Sequence, residues 1–298
     1  MPRPASSIAS CIASRPALLG LSAIIVAASA AAMAWAMPDR APAKRPQRIV
    51  SLNLCADQYL LELADRDQIA GLTRNAADPD MSAAAARAAG LNIMGTSAEE
   101  LLVLDPDLII GIPAKRGGMM AAVAQRDYTV LDLKSAASYP DIVAQIREVA
   151  AAVGHVARGE ALIARMDREL ATLPKSANAG VAAYYQRRGY MTGTGTLIDD
   201  VMTRTGLTNL AARLDKPALS QLSLEEMVAA RPDYLIVESA TDRVTDQGTE
   251  MLHHPALNDI PRLSIPQAWT VCGSPAYVRA ARSLADQIAA HRLRSANH

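Results

Sequence analysis

Five basic side chains follow short apolar stretches of the chain, at places where buried strands would end. They are Arg74, Lys115, Arg116, Arg187 and Arg188. A guanidinium group can hold a carboxylate through two parallel hydrogen bonds, and an ammonium group offers a compact positive charge. The pattern therefore predicts binding of an anionic chelate or a carboxylate-bearing molecule. The competing interpretation is that each of these groups is an ordinary solvated surface charge.

Two cysteines occupy similar places in the two halves of the chain. Cys55 and Cys272 each follow a short apolar stretch. Three roles are open to them: a disulfide with each other, two free thiols, or ligands of a soft metal ion. A free Cys55 could also act as a nucleophile, although no histidine lies near it in the sequence to activate it.

Aromatic residues are scarce, at 3% of the chain with no phenylalanine. Tyr184 and Tyr185 are adjacent in a predicted strand, so their side chains point to opposite faces and at most one reaches a ligand. We predict that Tyr185 is that residue, and that Trp269 also stacks on a planar ligand.

Motifs for catalysis and for binding bare metal ions are absent from the sequence. The five histidines do not have the spacing of zinc ligands. No Gly-x-Ser-x-Gly motif occurs, and the segment from Gly193 to Ile198 lacks the third glycine of a dinucleotide fingerprint. The formal net charge is zero, so no overall positive field attracts nucleic acid. We therefore predict no catalytic residue, no metal site, no cofactor and no nucleic-acid partner.

An acidic motif occurs twice in the chain. The first copy begins at Glu99 and Glu100, and the second begins 126 residues later at Glu225 and Glu226. In each copy a short apolar helix, a Pro-Asp pair and a buried apolar run follow the glutamates. So long a period excludes a solenoid and predicts two lobes of similar build, each with an acidic helix at its rim. A simpler role is also open, because an acid at a helix start stabilises the helix dipole.

Strand and helix patterns alternate along the chain, which predicts an α/β fold with two lobes, each a parallel sheet flanked by helices. The predicted N-terminal lobe covers residues 47–137 and the C-terminal lobe covers residues 178–292. A long helical stretch at 138–174 is predicted between them, although Gly154 and Gly159 could split it into two helices.

Local composition predicts two further elements. The alanine-rich segment 76–90 favours a helix, and Trp269–Val271 is predicted to be the last strand of the second lobe.

The segment 1–36 has the pattern of a signal peptide. A stretch of almost wholly apolar or small residues ends in Ala34-Trp35-Ala36, the small-x-small pattern that signal peptidase reads. An uncleaved membrane anchor is the alternative, because the stretch is nearly long enough to span a bilayer. We predict export to the periplasm with cleavage after about Ala36, followed by a proline-rich linker at 37–46.

The order and spacing of several motifs resemble a known family. They are Arg48–Leu52, the two acidic motifs, the predicted helix between the lobes, and Thr194–Asp200 followed by Gly206 and Asn209. The chain is similar over residues 47–292 to the periplasmic substrate-binding proteins of ABC importers that carry ferric siderophores, heme and cobalamin. The resemblance implies two α/β lobes joined by a long rigid helix, with a ligand held between them. It also implies one exposed glutamate on each lobe that pairs with arginines of the importer, here Glu99 and Glu225.

We therefore predict a periplasmic binding protein, without enzymatic activity, that captures a metal chelate and delivers it to the membrane subunits of an ABC importer as a monomer. A ferric siderophore is the first choice of ligand; cobalamin, or an exported enzyme using Cys55, are the alternatives. The residues predicted to line the ligand site are Asn53, Cys55, Arg74, Lys115, Arg116, Tyr185, Arg187, Arg188, Trp269 and Cys272.

Overall fold

The structure is a computed structural model, and it describes residues 45–95, 97–111, 126–174, 176 and 178–296. The predicted signal peptide, nearly all of the linker, and the predicted site residues Lys115 and Arg116 lie outside these ranges. Within the described residues, no helix is both long enough and apolar enough to span a bilayer.

The first part of the chain forms a five-stranded parallel sheet, here called the N-terminal sheet. Its strands in chain order are β1 (Ile49–Ser51), β2 (Ile69–Thr73), β3 (Ile93–Met94), β4 (Leu108–Gly111) and β5 (Val130–Asp132). Their spatial order is β3-β2-β1-β4-β5. Every residue of β1 and β4 is buried, as expected for the centre of a parallel sheet covered on both faces. Helix α1 (Leu54–Leu63) follows β1, and helix α2 (Ala98–Leu104) precedes β4.

An antiparallel pair of helices follows β5, where a single connecting helix is predicted. Helix α3 (Tyr139–Ala152) ends before Gly154, whose φ of 81° lies in the left-handed region, and helix α4 (Val156–Ala171) turns back along it. Gly159 stays inside α4 and allows the two helices to pack closely, because a Cβ at this position would lie 2.6 Å from the Ala150 Cβ. Arg147 Nε donates to Glu160 Oε1 at 2.7 Å between the two helices. The long rigid helix at 138–174 is thus corrected to a hairpin of two close-packed helices.

The second part of the chain forms a four-stranded parallel sheet, here called the C-terminal sheet. Its strands are β6 (Gly180–Tyr184), β8 (Leu207–Asn209), β10 (Tyr234–Glu238) and β11 (Arg262–Ile265), in the spatial order β11-β10-β6-β8. A small antiparallel pair, β7 (Tyr190–Thr192) and β9 (Leu219–Gln221), lies beside it. The helices of this part are α5 (Leu197–Arg204), α6 (Leu210–Arg213), α7 (Leu224–Ala230), α8 (Gln247–Glu250) and α9 (Tyr277–Ala296).

The two sheets have the same strand order. The run β2-β1-β4-β5 in the N-terminal sheet corresponds to β8-β6-β10-β11 in the C-terminal sheet. The Pro-Asp pair does the same work in both: Asp107 accepts hydrogen bonds from the backbone N–H groups of Gln47 and Arg48, and Asp233 accepts one from Val181. These carboxylates tie the start of β1 to β4 and the start of β6 to β10. The predicted α/β architecture of two parallel sheets flanked by helices is confirmed.

One buried apolar core joins the two sheets. Ile49 and Leu60 from the N-terminal side and Ile236 and Leu263 from the C-terminal side belong to the same cluster of packed residues. The C-terminal helix α9 adds Leu284 and its neighbours to this core. The sheets are therefore held together by burial of apolar surface as well as by the chain connection.

Two local predictions are wrong. The segment 76–90 forms only short 3-10 turns, at Arg74–Ala77 and Ala85–Ala88, because the Asp78-Pro79-Asp80 sequence and Gly90 interrupt it. Trp269–Val271 is not a strand: residues 267–269 form a 3-10 turn, and the last strand ends at Ile265 because Pro266 has no N–H for the ladder.

Candidate functional site

A disulfide links the carboxyl end of β1 to the chain beyond β11. Cys55 lies in the first turn of α1, and its sulfur is bonded to that of Cys272, with the two Cα atoms 5.3 Å apart. Close by, the Tyr59 hydroxyl donates to the backbone carbonyl of Gly273 at 2.6 Å. The structure thus selects the disulfide from the three roles open to these cysteines. It also removes the thiol that a Cys55 nucleophile would need.

A hollow of about 530 Å³ lies at the carboxyl ends of β1, β2 and β3. This N-terminal hollow is lined by Ser51, Leu52, Asn53, Leu54, Thr73, Arg74, Asn75, Met94 and Gly95. Asn53 also caps α1, because its side-chain oxygen accepts from the Ala56 N–H at 3.0 Å. Of the predicted site residues, Asn53 and Arg74 therefore lie at this hollow, and Arg74 provides its positive charge.

A buried carboxylate, that of Asp57, binds Thr73, one of the residues that line the N-terminal hollow. Asp57 is fully buried, and it accepts hydrogen bonds from both the backbone N–H and the hydroxyl of Thr73. Burial raises the pKa of Asp57 to about 6, while the bonds from Thr73 and Ser51 act in the opposite direction. Both oxygens of Asp57 are thus used to hold the ends of β1 and β2 in place.

A second hollow, of about 210 Å³, lies at the carboxyl ends of β6, β10 and β11. This C-terminal hollow is lined by Tyr184, Gln186, Thr192, Thr196, Leu197, Ile198, Glu238, Gln267, Thr270 and Val271. Its polar members are hydroxyls and amides, with Glu238 as the charged group. None of these described lining residues is basic.

Hydrogen bonds fix the orientation of Glu238 in the C-terminal hollow. Its Oε1 accepts from the Tyr184 hydroxyl and from Gln186 Nε2, each at 3.1 Å. The Thr192 hydroxyl donates to the amide oxygen of Gln186 at 3.0 Å, which turns the amide nitrogen toward Glu238. Burial, with the adjacent Glu238 carboxylate, raises the pKa of Tyr184, so this phenol stays protonated and remains a donor.

Each hollow borders the disulfide through a lining residue that is next to one of its cysteines. Asn53 and Leu54 of the N-terminal hollow immediately precede Cys55, and Val271 of the C-terminal hollow immediately precedes Cys272. Both hollows also lie at the carboxyl ends of parallel strands, and this is where open α/β sheets bind their ligands. Their side chains can bind and orient a molecule. Among the described residues, no cluster of histidine, cysteine or acidic side chains could hold a bare metal ion.

Three of the predicted contacts are placed elsewhere. Tyr185 is buried in a separate core cluster, where its hydroxyl donates to the Leu222 carbonyl at 2.9 Å, so Tyr184 is the tyrosine that faces a hollow. Arg187 forms an ion pair with Asp246, the residue that caps α8, and neither residue lines the C-terminal hollow. Trp269 packs, partly buried, against the main core, while its neighbours Gln267 and Thr270 line the C-terminal hollow.

Arg188 has an unusual backbone. Its φ of 59° is left-handed, its side chain is exposed, and its carbonyl accepts from Gln221 Nε2 at 3.4 Å. Arg188 lies in the turn between β6 and β7. The Gly189 N–H donates to the Gln186 carbonyl at 3.2 Å and closes this turn.

The repeated acidic helices have matching caps. The hydroxyls of Ser97 and Ser223 accept from the N–H groups of Glu100 and Glu226, each at 3.2 Å, at the start of α2 and α7. Glu226 then reaches back to the Ser223 N–H at 3.0 Å and pairs with Lys216 at 3.2 Å. The second glutamate of this pair is thus committed to the cap.

The first glutamate of each pair is exposed. Glu99 accepts from its own N–H and from Ser97, which holds its pKa below the usual range, and Glu225 projects from the first turn of α7. Helix α2 follows Gly95, which lines the N-terminal hollow, so Glu99 lies on the same edge of its sheet as that hollow. By the matching strand order, Glu225 lies on the corresponding edge of the C-terminal sheet.

Sequence reasoning missed the polar lining of the C-terminal hollow. The prediction from the sequence sought basic side chains that follow the strands, whereas Glu238 is an acid and is itself the last residue of β10. An acid that closes a run of four buried apolar residues, Tyr234–Val237, was the signal that could have found it.

A chain with two parallel sheets of matching order, and with hollows at the strand ends of both, has the architecture of a two-lobed solute-binding protein. The model of the periplasmic binding protein family matches residues 49–262, and the chain belongs to this family. The family consists of solute-binding proteins that work with importers, and membership implies an exported location.

Relatives and solved structures agree with this assignment. The chain is 27% identical over 205 residues to a cobalamin-binding protein of Halobacterium salinarum, with 67% of this chain and 56% of that protein aligned. The chain thus spans just over half of that relative's length. A possible iron-binding protein from Staphylococcus epidermidis has a TM-score of 0.66 at 18% identity, covering 82% of this chain and 99% of the other. The periplasmic heme-binding protein RhuT from Roseiflexus sp. RS-1 has a TM-score of 0.65 at 24% identity, covering 81% and 97%. These structures support the fold.

Proposed function

We propose that the protein captures a metal chelate between the two sheets and delivers it to an ABC importer. The observation that carries this proposal is the pair of hollows that flank the Cys55–Cys272 disulfide, each at the strand ends of one sheet. A flat chelate lying across the disulfide would contact Arg74 and Asn53 on one side and Tyr184 and Glu238 on the other. The volumes of about 530 and 210 Å³ suit a ligand of this class.

The ligand classes are those of the relatives. A ferric siderophore remains the first prediction. Cobalamin is the second candidate, and it is favoured by the name of the Halobacterium salinarum relative and by the absence of a basic side chain among the described residues that line the C-terminal hollow. We further propose that the protein works in the periplasm as a monomer after cleavage near Ala36, without catalytic activity and without a nucleic-acid partner.

Docking to the importer is proposed to use α2 and α7. Beside the exposed glutamates, these helices also present apolar side chains to solvent, Val103 at 81% and Val228 at 40% exposure. An exposed apolar group next to a charge is typical of a surface that another protein covers. The two helices therefore offer one contact patch on each sheet.

The test reverses the charge of both docking glutamates. A Glu99→Arg/Glu225→Arg variant should bind chelate with unchanged affinity by calorimetry, because neither side chain lines the N-terminal or the C-terminal hollow. Uptake of radiolabelled ferrichrome or cyanocobalamin by cells that produce the variant should fall to background. Glu148→Arg/Glu250→Arg is the matched control, since both residues are exposed acids on other helices.

Either of two results would contradict docking through these residues. One is full uptake by the docking variant. The other is a loss of chelate binding or of folding, which would make the glutamates structural.

A further inference from the structure

Glu238 is a carboxylate with one oxygen satisfied and the other open. It is 9% exposed, and both of its hydrogen-bond donors reach Oε1. Within the described residues no group donates to Oε2, and no lysine or arginine forms an ion pair with this side chain. Glu238 lines the C-terminal hollow, so its open oxygen is available to a molecule bound there.

A carboxylate this deeply buried is costly unless donors surround it. Tyr184 and Gln186 supply part of that stabilisation, and the Thr192 bond to Gln186 prevents the amide from turning its oxygen toward Glu238. The hollow therefore contains a carboxylate oxygen, Oε2 of Glu238, that receives no hydrogen bond from the described residues. A second carboxylate brought into the hollow would repel Glu238 in a low-dielectric setting.

The rest of the lining indicates what kind of donor fits. The polar groups near Glu238 are the neutral side chains of Thr196, Gln267 and Thr270. Hydroxyl and amide groups can donate to a carbonyl oxygen while Glu238 accepts from an N–H. That combination matches a carboxamide, which carries both a donor and an acceptor.

We propose that Glu238 is a specificity-determining residue of the ligand site, which accepts a hydrogen bond from a carboxamide N–H of an uncharged chelate and rejects chelates that present carboxylates there. This inference rests on the proposed function, and it names the chemical class of ligand for the same site. The C-terminal hollow selects for donors, whereas the anionic chelate predicted from the arginines would have no partner there.

The test uses pairs of probes that share a framework or a metal and differ in charge. Dicyanocobinamide carries carboxamides around a corrin ring, and dicyanocobyrinic acid carries carboxylates on the same ring. Ferrichrome is an uncharged ferric chelate, and ferric citrate is a carboxylate chelate. Calorimetry with the wild-type protein should give at least about tenfold tighter binding to the uncharged member of whichever pair binds, as expected for one charge-assisted hydrogen bond gained and one repulsion avoided.

A variant then assigns the selectivity to one side chain. Glu238→Gln keeps the shape and removes the charge, so the preference for the uncharged probe should fall about tenfold, mainly through tighter binding of the carboxylate probe. Glu250→Gln is the matched control, because this exposed acid lies outside the hollow, and it should keep the wild-type preference.

The outcomes separate this inference from the proposed function. Binding with equal affinity for both members of a pair, or with a preference for the carboxylate, would overturn the role of Glu238 and leave the chelate-binding function standing. A Glu238→Gln protein that keeps the full preference would do the same. Binding of none of the four probes would overturn the proposed function and the inference together. If Glu238→Gln does not fold, the wild-type comparison of the paired probes still decides.

Discussion

Asp57 and Glu238 are buried carboxylates at the ligand edges of two sheets with the same strand order, yet their surroundings differ. Asp57, in helix α1, receives hydrogen bonds at both oxygens from Thr73, the last residue of β2. Glu238 receives bonds at one oxygen and turns the other toward the C-terminal hollow. Buried carboxylates at the two ligand edges can thus serve the scaffold in one half and the ligand in the other, and hydrogen-bond satisfaction tells them apart.

The shared framework explains why this difference can arise. Asp107 and Asp233 fix equivalent strand starts, and the caps at Ser97 and Ser223 fix equivalent helices. None of these four residues lines either hollow, so the strand ends can carry different side chains without changing the architecture. Four predictions test how far the two halves are independent.

The largest effect is expected from removing the disulfide that joins the halves. A Cys55→Ala/Cys272→Ala variant should lose up to about 5 kcal/mol of unfolding free energy, because the bond closes a long loop in the unfolded chain. The two cysteines are separated by 217 residues. Urea unfolding measures the loss, and reduced wild-type protein should match the variant. A loss below about 1 kcal/mol would mean that the shared apolar core alone holds the halves together.

Asp57 should make stability depend on pH between about 4 and 6. Its pKa is raised from 3.8 to about 6 in the folded state, so the folded protein holds the proton more tightly than the unfolded chain. The free energy of unfolding should therefore fall by about 3 kcal/mol as the pH rises through this window, and then stay level.

Asp57→Asn is the comparison for that pH dependence, because an amide cannot ionise. The difference in unfolding free energy between wild type and variant, measured in urea at pH 4 and pH 6.5, isolates this one group. If the two proteins change in parallel across the window, the pKa of Asp57 is not raised.

Arg74 and Arg187 should separate as a ligand contact and a local ion pair. Arg74 lines the N-terminal hollow, so Arg74→Ala should weaken binding of ferrichrome or dicyanocobinamide about tenfold through loss of a charge-assisted hydrogen bond. Arg187 pairs with Asp246 outside the C-terminal hollow, so Arg187→Ala should change affinity by less than about twofold. Calorimetry on both variants decides, and a larger loss from Arg187→Ala would restore the prediction made from the sequence.

The smallest expected difference is between the two Pro-Asp carboxylates. Asp107 accepts from two backbone N–H groups and Asp233 accepts from one. Asp107→Ala should therefore cost about 2 kcal/mol of unfolding free energy and Asp233→Ala about 1 kcal/mol. Equal losses in thermal or urea unfolding would show that the second bond to Asp107 contributes nothing.

Local patterns predicted the elements that these variants probe. The Glu-Glu and Pro-Asp spacing was sufficient for α2, α7 and their strands, because caps and turns are set by neighbouring residues. The sequence did not distinguish one long helix from a hairpin, because Gly154 and Gly159 are both single glycines within a helical pattern. Only packing distinguishes the left-handed turn at Gly154 from the close helix contact at Gly159.

The site was harder to predict because it depends on contacts across long stretches of chain. The alternation of a strand shows that Tyr184 and Tyr185 face opposite ways, but the face that meets a hollow is set by the sheet as a whole. Arg187 forms an ion pair with Asp246, which lies 59 residues further along the chain, so the residues around Arg187 do not predict this pair. Lys115 and Arg116 lie outside the described residues and remain predictions.

The disulfide also has a consequence for how the protein is made. Most strands of both sheets lie between Cys55 and Cys272. In a chain that crosses the membrane N-terminus first, Cys55 arrives before Cys272, so the bond can form only after the segment that carries Cys272 has also been delivered. Beyond the predicted signal peptide the sequence holds only these two cysteines, so neither has a wrong partner within the chain. An intact bond therefore shows that Cys272 has followed Cys55 across the membrane. A non-reducing gel of whole cells can separate these oxidised molecules from molecules whose cysteines are still thiols.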